Sequence, residues 1–170
     1  MTAVLRGEPT VVERTAQPYV GVRKQVTMDS VAEVADRIPV LVGWLAERGH
    51  AVAGAPLLRY HVIDTAGTLD IEAGVPVVAA VGGDGDVESA ELPAGRYVSY
   101  RHVGHPRELV AVTGALLDWA KAEGLRFDVT GTAGGDRWGC RIEEYHTHPA
   151  EVPDMDHWET EVALRLAEGA

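Results

Sequence analysis

Carboxylates and aromatic rings arranged at a two-residue period are the side chains of this sequence best suited to chemistry. Near the C-terminus, Trp158-Glu159-Thr160-Glu161-Val162-Ala163-Leu164-Arg165-Leu166 sends Thr160, Val162, Leu164 and Leu166 to one side of an extended chain. Glu159, Glu161, Ala163 and Arg165 go to the other. Earlier, Leu69 to Val77 alternates in the same way, with Ile71, Ala73, Val75 and Val77 in phase and Asp70, Glu72 and Gly74 opposite. If the two strands meet, Glu72 and Glu161 converge near Tyr60 and Tyr145, with Trp138 and Trp158 able to wall the space. A carboxylate among aromatic faces suits a planar cation, through charge pairing and cation–π attraction. Desolvation also raises its proton affinity, so it could hand over a proton or activate a water. Periodicity alone slightly favours a plainer arrangement, in which Glu72 and Glu161 are the wet sides of two half-exposed strands.

Other constellations fall short of a site. His146, His148, Asp154, Asp156 and His157 offer metal-ligand atoms, but Pro149 and Pro153 mark the stretch as a loop. No two imidazoles there share a helix face, so a solvated acidic loop is expected and no metal. The single cysteine, Cys140, reads as a buried, inert thiol in a strand running from Trp138 to Tyr145. Gly82 to Asp86 lacks the downstream glutamate of a calcium loop and reads as a turn. Gly131 to Gly135 precedes a strand rather than a helix, so it has no N-terminal amides with which to hold phosphate. No cofactor is expected.

The elements that must position these residues repeat. Tyr19-Val20-Gly21-Val22-Arg23 is answered by Tyr97-Val98-Ser99-Tyr100-Arg101, Leu41-Val42-Gly43-Trp44 by Leu116-Leu117-Asp118-Trp119, Gly49 by Gly124, Tyr60 by Tyr145, and Glu72 by Glu161. The order implies a duplicated unit of strand, helix, strand, strand, about eighty residues long, the size of one half of a pseudo-symmetric domain. The first unit spans about 11–81 and the second about 87–167, after a loose N-terminal arm over 1–10. Met28 to Arg48 carries a helical stripe interrupted at Pro39, which predicts a kink or two short helices. Pro106 to Gly124 is a second amphipathic helix. Leu57 to Asp64, Thr68 to Ala80 and His157 to Leu166 read as strands, with a turn at Thr65-Ala66-Gly67.

Composition narrows the class. The chain has 46% hydrophobic and 24% charged residues, as a globular protein does, and 26 acidic against 15 basic residues give a net charge of −11. That balance argues against a nucleic-acid partner. No apolar run reaches membrane-spanning length and no signal peptide is visible, so a cytoplasmic location and no membrane partner are expected. Nothing in the sequence indicates an oligomeric state.

The openings of the two units, Gly74-Val75-Pro76-Val77, and above all Ile142-Glu143-Glu144-Tyr145 through His148-Pro149 to Trp158-Glu159-Thr160-Glu161-Val162, resemble the GyrI-like small-molecule-binding family. That family is similar to the effector-binding domains of the BmrR and AraC-type multidrug regulators. The resemblance covers nearly the whole chain after the arm, 11–170, and implies one α+β domain. It would be built from two pseudo-symmetric modules, antiparallel sheets with helices on one face, and a ligand groove between them. It also implies a bulky aromatic, often cationic, ligand, a groove glutamate that maps best to Glu161, and Tyr60 and Tyr145 as lining. Arg165 departs from the pattern, since a proline usually follows the acidic strand. Some stand-alone members are hydrolases that open the cyclopropane of DNA-alkylating natural products, a role in which Glu161 would handle the water and Tyr145 would donate to the developing oxyanion. A protein-interaction module with an acidic surface is a further alternative.

Overall fold

The computed structural model describes residues 4–64 and 66–169. In chain order the elements are β1 (Thr10–Arg14), β2 (Gln17–Thr27), α1 (Ala32–Ala35), α2 (Arg37–Glu47), β3 (Leu57–Ile63), β4 (Thr68–Pro76), β5 (Glu88–Leu92), β6 (Gly95–Val103), α3 (Leu109–Ala122), β7 (Val129–Thr132), β8 (Gly135–Trp138), β9 (Arg141–Tyr145) and β10 (Glu159–Arg165). Eight strands pair antiparallel in the order β1-β6-β10-β9-β3-β4-β2-β5, and the β7–β8 hairpin joins this sheet where β8 pairs with β3.

This order is symmetric about the β9–β3 junction: β10, β6 and β1 on one side answer β4, β2 and β5 on the other. Across the junction Leu57 pairs with Glu144, Leu58 with Glu143 and Arg59 with Ile142. Matching Tyr60 to Tyr145 maps this ladder onto itself, so a pseudo-twofold axis passes between Leu58 and Glu143. The same match carries the pair Arg23–Glu72 onto Arg101–Glu161. The α+β architecture of two modules, β2-α1-α2-β3-β4 and β6-α3-β9-β10, is therefore present with the residue correspondence expected from the repeat.

Pro39 lies in the first turn of α2, where its missing N–H costs nothing, and the helical stretch divides at Asp36 into α1 and α2. Gly49 (φ 71°) and Gly124 (φ 74°) end α2 and α3 in the left-handed conformation that a glycine adopts without strain. The helices cover one face of the sheet, α1 and α2 on β2 and β4, α3 on β6. Val34, Leu41 and Leu45 pack there with Val20, Ile71 and Ala73, and Val112, Leu116 and Ala120 with Val98, Val162 and Leu164. The opposite face carries a third core of Tyr19, Leu57, Leu92, Tyr97, Cys140, Ile142 and Ala163. The sheet curls around it, for Arg59 on β3 donates to the Glu91 carbonyl on β5, and Arg14 on β1 reaches Glu144 on β9. None of the helices among the described residues is long and apolar enough to cross a membrane.

Three local expectations are corrected. The arm is docked rather than loose over 4–9: Val4 and Leu5 pack on the α3 core, and the Arg6 N–H donates to the Tyr100 hydroxyl at 2.6 Å; residues 1–3 lie outside the described residues. The single strand expected from Trp138 to Tyr145 is two, parted at Gly139-Cys140, where the Gly139 N–H turns to the Asp128 carbonyl at 2.8 Å. Gly131 to Gly135 belongs to the β7–β8 hairpin and its turn, which periodicity did not reveal because its residues are small and exposed. Thr65, part of the expected turn before β4, also lies outside the described residues. A β-bulge between Tyr60 and Val62 returns Ile63 to the helix-covered face that Tyr60 shares, leaving His61 on the other.

The packing yields a paired test. A Cβ on Gly21 would overlap the buried Glu72 carboxylate, while Gly43 in α2 has open space around it. Gly21→Ala should lower the unfolding free energy by about 1–3 kcal/mol in urea titrations, and Gly43→Ala should raise it by roughly 0.5–1 kcal/mol. Equal effects at the two positions would contradict the tight Gly21–Glu72 contact.

Candidate functional site

Because α1 and α2 cover β2 and β4 while α3 covers β6, the central strands β3 and β9 form the floor of a trough between the two helical covers. Side chains on this floor are partly exposed: Tyr60 from β3, and Arg141, Glu143 and Tyr145 from β9. Tyr60, Ile63 and Tyr145 pack at the edge of the first core; Ile63 also touches the second, so the floor bridges both.

Glu143 lies on the pseudo-axis, opposite Leu58, and the two symmetry-related tyrosines converge on it. The Tyr145 hydroxyl donates to Glu143 Oε1 at 2.7 Å and the Tyr60 hydroxyl to the same oxygen at 3.2 Å. Oε2 carries no such bond. Among the described residues the sealed side-chain polar atoms without a partner are Arg37 Nε and Arg59 Nε, and Glu143 Oε2 is not one of them. Burial pushes the Glu143 carboxyl above its ordinary value; the two tyrosine hydrogen bonds and the Arg141 charge oppose the shift without cancelling it. Burial and the neighbouring Glu143 likewise push Tyr145 and Tyr60 well up, so both stay protonated donors. The Arg141 guanidinium lies over Trp138, 4.9 Å from the ring centroid, and over Tyr60 at 5.9 Å. Trp138 itself is buried against Phe127 and the second core.

Glu161 and Glu72 do not join this group. Strand registers place both on the opposite face, with Glu144, Ile142 and Arg59. The expectation that they meet Tyr60 and Tyr145 fails for a geometric reason: Tyr145 pairs with Thr160, and the pleat sends Glu161, one residue on, to the other side. Glu161 is held by Ser99 Oγ (2.6 Å), Arg14 (3.0 Å) and Arg101 (3.2 Å). Burial raises its pKa, but these three partners outweigh the burial and hold it low. Glu72, 3% exposed, accepts from the Tyr19 hydroxyl at 2.5 Å and lies 2.8 Å from His61 Nε2, while Arg59 donates to the same tyrosine oxygen at 3.0 Å. There too burial pushes upward, and the His61 and Tyr19 hydrogen bonds with the Arg59 charge bring the net shift below the ordinary value. His61 and His146 are repeat mates, each following a trough tyrosine and each near the mate glutamate, His146 Nε2 lying 3.7 Å from Glu161.

Glu144, His146 and Glu161 bring ligand atoms within 4.8 Å of one another, the group best able to hold a metal among the described residues. Arg14 already occupies it, bonding both carboxylates at 2.9 and 3.0 Å. Arg14, Glu144 and His146 also border an open recess of about 440 Å³ on this face. Trp158 donates its indole N–H to the Val152 carbonyl at 2.7 Å and so pins the 146–157 loop. Cys140 is fully buried, and burial raises its thiol pKa, as suits an inert core residue. The residue sequence reasoning missed is Glu143. Its one trace in the sequence is that it stands two residues before Tyr145, where the first repeat has apolar Leu58 two residues before Tyr60.

Comparisons with known proteins come to the same fold. The family model of the GyrI-like small molecule binding domain matches residues 7–167. The C-terminal domain of EcmrR superposes with a TM-score of 0.73 at 17% identity, over 94% of this chain and 97% of that one. Against the EcmrR chain in its complex with DNA, the match spans 57% of that chain's length and 94% of this one (TM-score 0.75, 17% identity). SAV2435 bound to tetraphenylphosphonium superposes at 0.63 with 11% identity over 95% of each chain. A hydrolase from Listeria innocua does so at 0.62 with 15% identity, over 98% of this chain and 94% of that one. No curated protein sequence matches the chain.

The two faces differ in what their carboxylates do for stability. Glu143 binds its proton more tightly in the folded chain than in the unfolded one, so its ionised form lowers stability once pH exceeds the ordinary carboxylate range. At neutral pH, Glu143→Gln should leave the melting temperature unchanged or raise it. Glu72 and Glu161 are shifted the other way; the stability they contribute is present above the unfolded pKa and disappears as pH falls through the lower folded one. Glu72→Gln and Glu161→Gln should therefore lower the melting temperature at neutral pH and flatten its decline on acidification. A melting temperature that falls for Glu143→Gln as much as for the other two would make Glu143 a structural residue.

Proposed function

The chain belongs to the GyrI-like small-molecule-binding family, and from that premise we propose that it binds a bulky, planar or propeller-shaped aromatic molecule in the trough over β3 and β9. The observation that carries the reading is Glu143: a carboxylate on the pseudo-axis, with one oxygen held by two tyrosines and the other without a hydrogen bond among the described residues. Tyr60 and Tyr145 supply ring surface and, by fixing Oε1, leave Oε2 as the acceptor or charge partner. Glu161, Glu72 and Trp158, expected from sequence as ligand contacts, act in this reading as supports of the curled sheet and its loop. The tetraphenylphosphonium carried by SAV2435, a relative in fold, is a bulky aromatic cation of the right character to probe such a trough.

Hydrolysis is a second reading, favoured by one specific observation: Glu143 keeps its proton to a higher pH than an ordinary carboxylate and is bonded to a tyrosine that remains a donor. The pairing of Glu161 with Tyr145 that the sequence suggested lies across the sheet, so Glu143 takes over the acid–base role, with Tyr145 as the donor to a developing oxyanion. Incubation with a cyclopropane-bearing alkylator separates the readings, since a hydrolase returns a product heavier by one water with turnover and a sequestering protein returns the compound unchanged.

Binding itself is tested by calorimetric titration of tetraphenylphosphonium. Removing one partner of a desolvated charge pair should cost on the order of 2–5 kcal/mol, so Glu143→Gln should weaken binding by tenfold or more. Glu161→Gln should leave it within about twofold, because that carboxylate faces away from the trough. In the parent protein affinity should fall as pH drops through the raised Glu143 pKa. Loss of binding in Glu161→Gln with retention in Glu143→Gln would reverse the assignment.

A further inference from the structure

Arg141 is the trough residue that the binding of a simple cation leaves unexplained. It stands two positions from Glu143 on the same side of β9, a rise of roughly 7 Å along the strand, and it does not reach Glu143 as a salt bridge. Its guanidinium lies over Trp138 and Tyr60, and no hydrogen bond or ion pair to it forms among the described residues. None of its nitrogens is among the sealed, unpartnered polar atoms of the described residues. Burial lowers its hold on its proton, and the Tyr60, Glu143 and Asp136 groups only partly compensate. A half-buried guanidinium with no acceptor is a costly feature of a sheet floor, since its planar fork of donors is made for oxygen acceptors. It also lies over the Tyr60 ring, a face that a cationic ligand would otherwise use, and it repels such a ligand.

We propose that the trough is built for a planar ligand that presents a carbonyl-type oxygen to Arg141 while its donor or cationic edge meets Glu143, and that Arg141 is the residue that sets this preference over simple lipophilic cations. The inference rests on the trough reading above. The guanidinium donates in plane to the ligand oxygen, and Oε2 of Glu143 accepts from the other end. A charge-assisted hydrogen bond of this kind in a desolvated site is worth roughly tenfold or more in affinity.

Two tricyclic probes of nearly the same shape test it by fluorescence titration: acridone, neutral with a ring carbonyl and a ring N–H, and 9-aminoacridine, a cation without the carbonyl. Arg141→Met should weaken acridone binding by roughly tenfold or more and leave 9-aminoacridine unchanged or tighter, and Arg141→Lys should recover part of the acridone affinity. Circular dichroism melts check that both variants fold, and displacement by tetraphenylphosphonium confirms that the probes share the trough. Equal acridone affinity in the parent and Arg141→Met, with displacement intact, overturns the role of Arg141 while leaving the trough in place. If Glu143→Gln does not weaken 9-aminoacridine, the trough reading itself falls and the inference with it.

Discussion

The β3–β9 ladder is the constraint on which the rest depends. It joins the central strands of the two modules across the pseudo-axis, and its register, Leu58 opposite Glu143, fixes which side chains of β3 and β9 share a face. A slip of β9 by one residue against β3 would turn Glu143 and Tyr145 to the curled inner face, away from Tyr60, and bring Ile142 and Glu144 into the trough. Hydrophobic pattern holds the register from both sides. Leu58 is buried in the helix-side core, while Leu57 and Ile142 are buried in the core opposite.

Duplication explains why a carboxylate can stand at this point at all. Away from the axis the mates Glu72 and Glu161 keep similar surroundings: each lies opposite an arginine and near a histidine that follows a trough tyrosine. On the axis, the mates face each other, and here the copies have diverged, apolar Leu58 in one and Glu143 in the other. The tyrosines from both copies then bond one oxygen of a single acid. The cost is a carboxylate that would rather be protonated, and sites that recognise ligands commonly keep such locally unfavourable groups. The inner face shows the contrary arrangement. Arg14 and Arg101 bond carboxylates there, Arg59 bonds the tyrosine that holds Glu72, and Arg14 and Arg59 tie down the curled edges.

Much of the architecture was legible in the sequence because its signals are periodic. The echo of Tyr19 to Arg23 in Tyr97 to Arg101, the two short helices expected around Pro39, and the glycine stops at Gly49 and Gly124 all correspond to elements of the structure. The β7–β8 hairpin escaped notice because β7 is exposed throughout and only Trp138 of β8 is buried, which leaves no alternating face to read. The candidate site was legible in composition but not in facing. Tyr60 and Tyr145 were singled out, yet the acidic partner was sought at Glu161, on the strand with the cleanest alternation. Alternation shows that a strand has two faces; it does not show which face belongs to the helices, and that follows only from the pairing of Tyr145 with Thr160. Glu143 was hidden by its neighbour, since Glu143-Glu144 breaks the period and puts one acid on each side of the sheet. The bulge at His61 likewise depends on a pairing with β4 that no local pattern specifies.

The account's central claim is the face and position of the ligand, and a crystal structure of the protein with bound tetraphenylphosphonium tests it most directly. The predicted result has the phenyl rings against Tyr60 and Tyr145 between α2 and α3, with the phosphonium nearer to Glu143 than to any other carboxylate. Density instead in the recess beside Arg14, Glu144 and His146, on the face that holds Glu161, would contradict it.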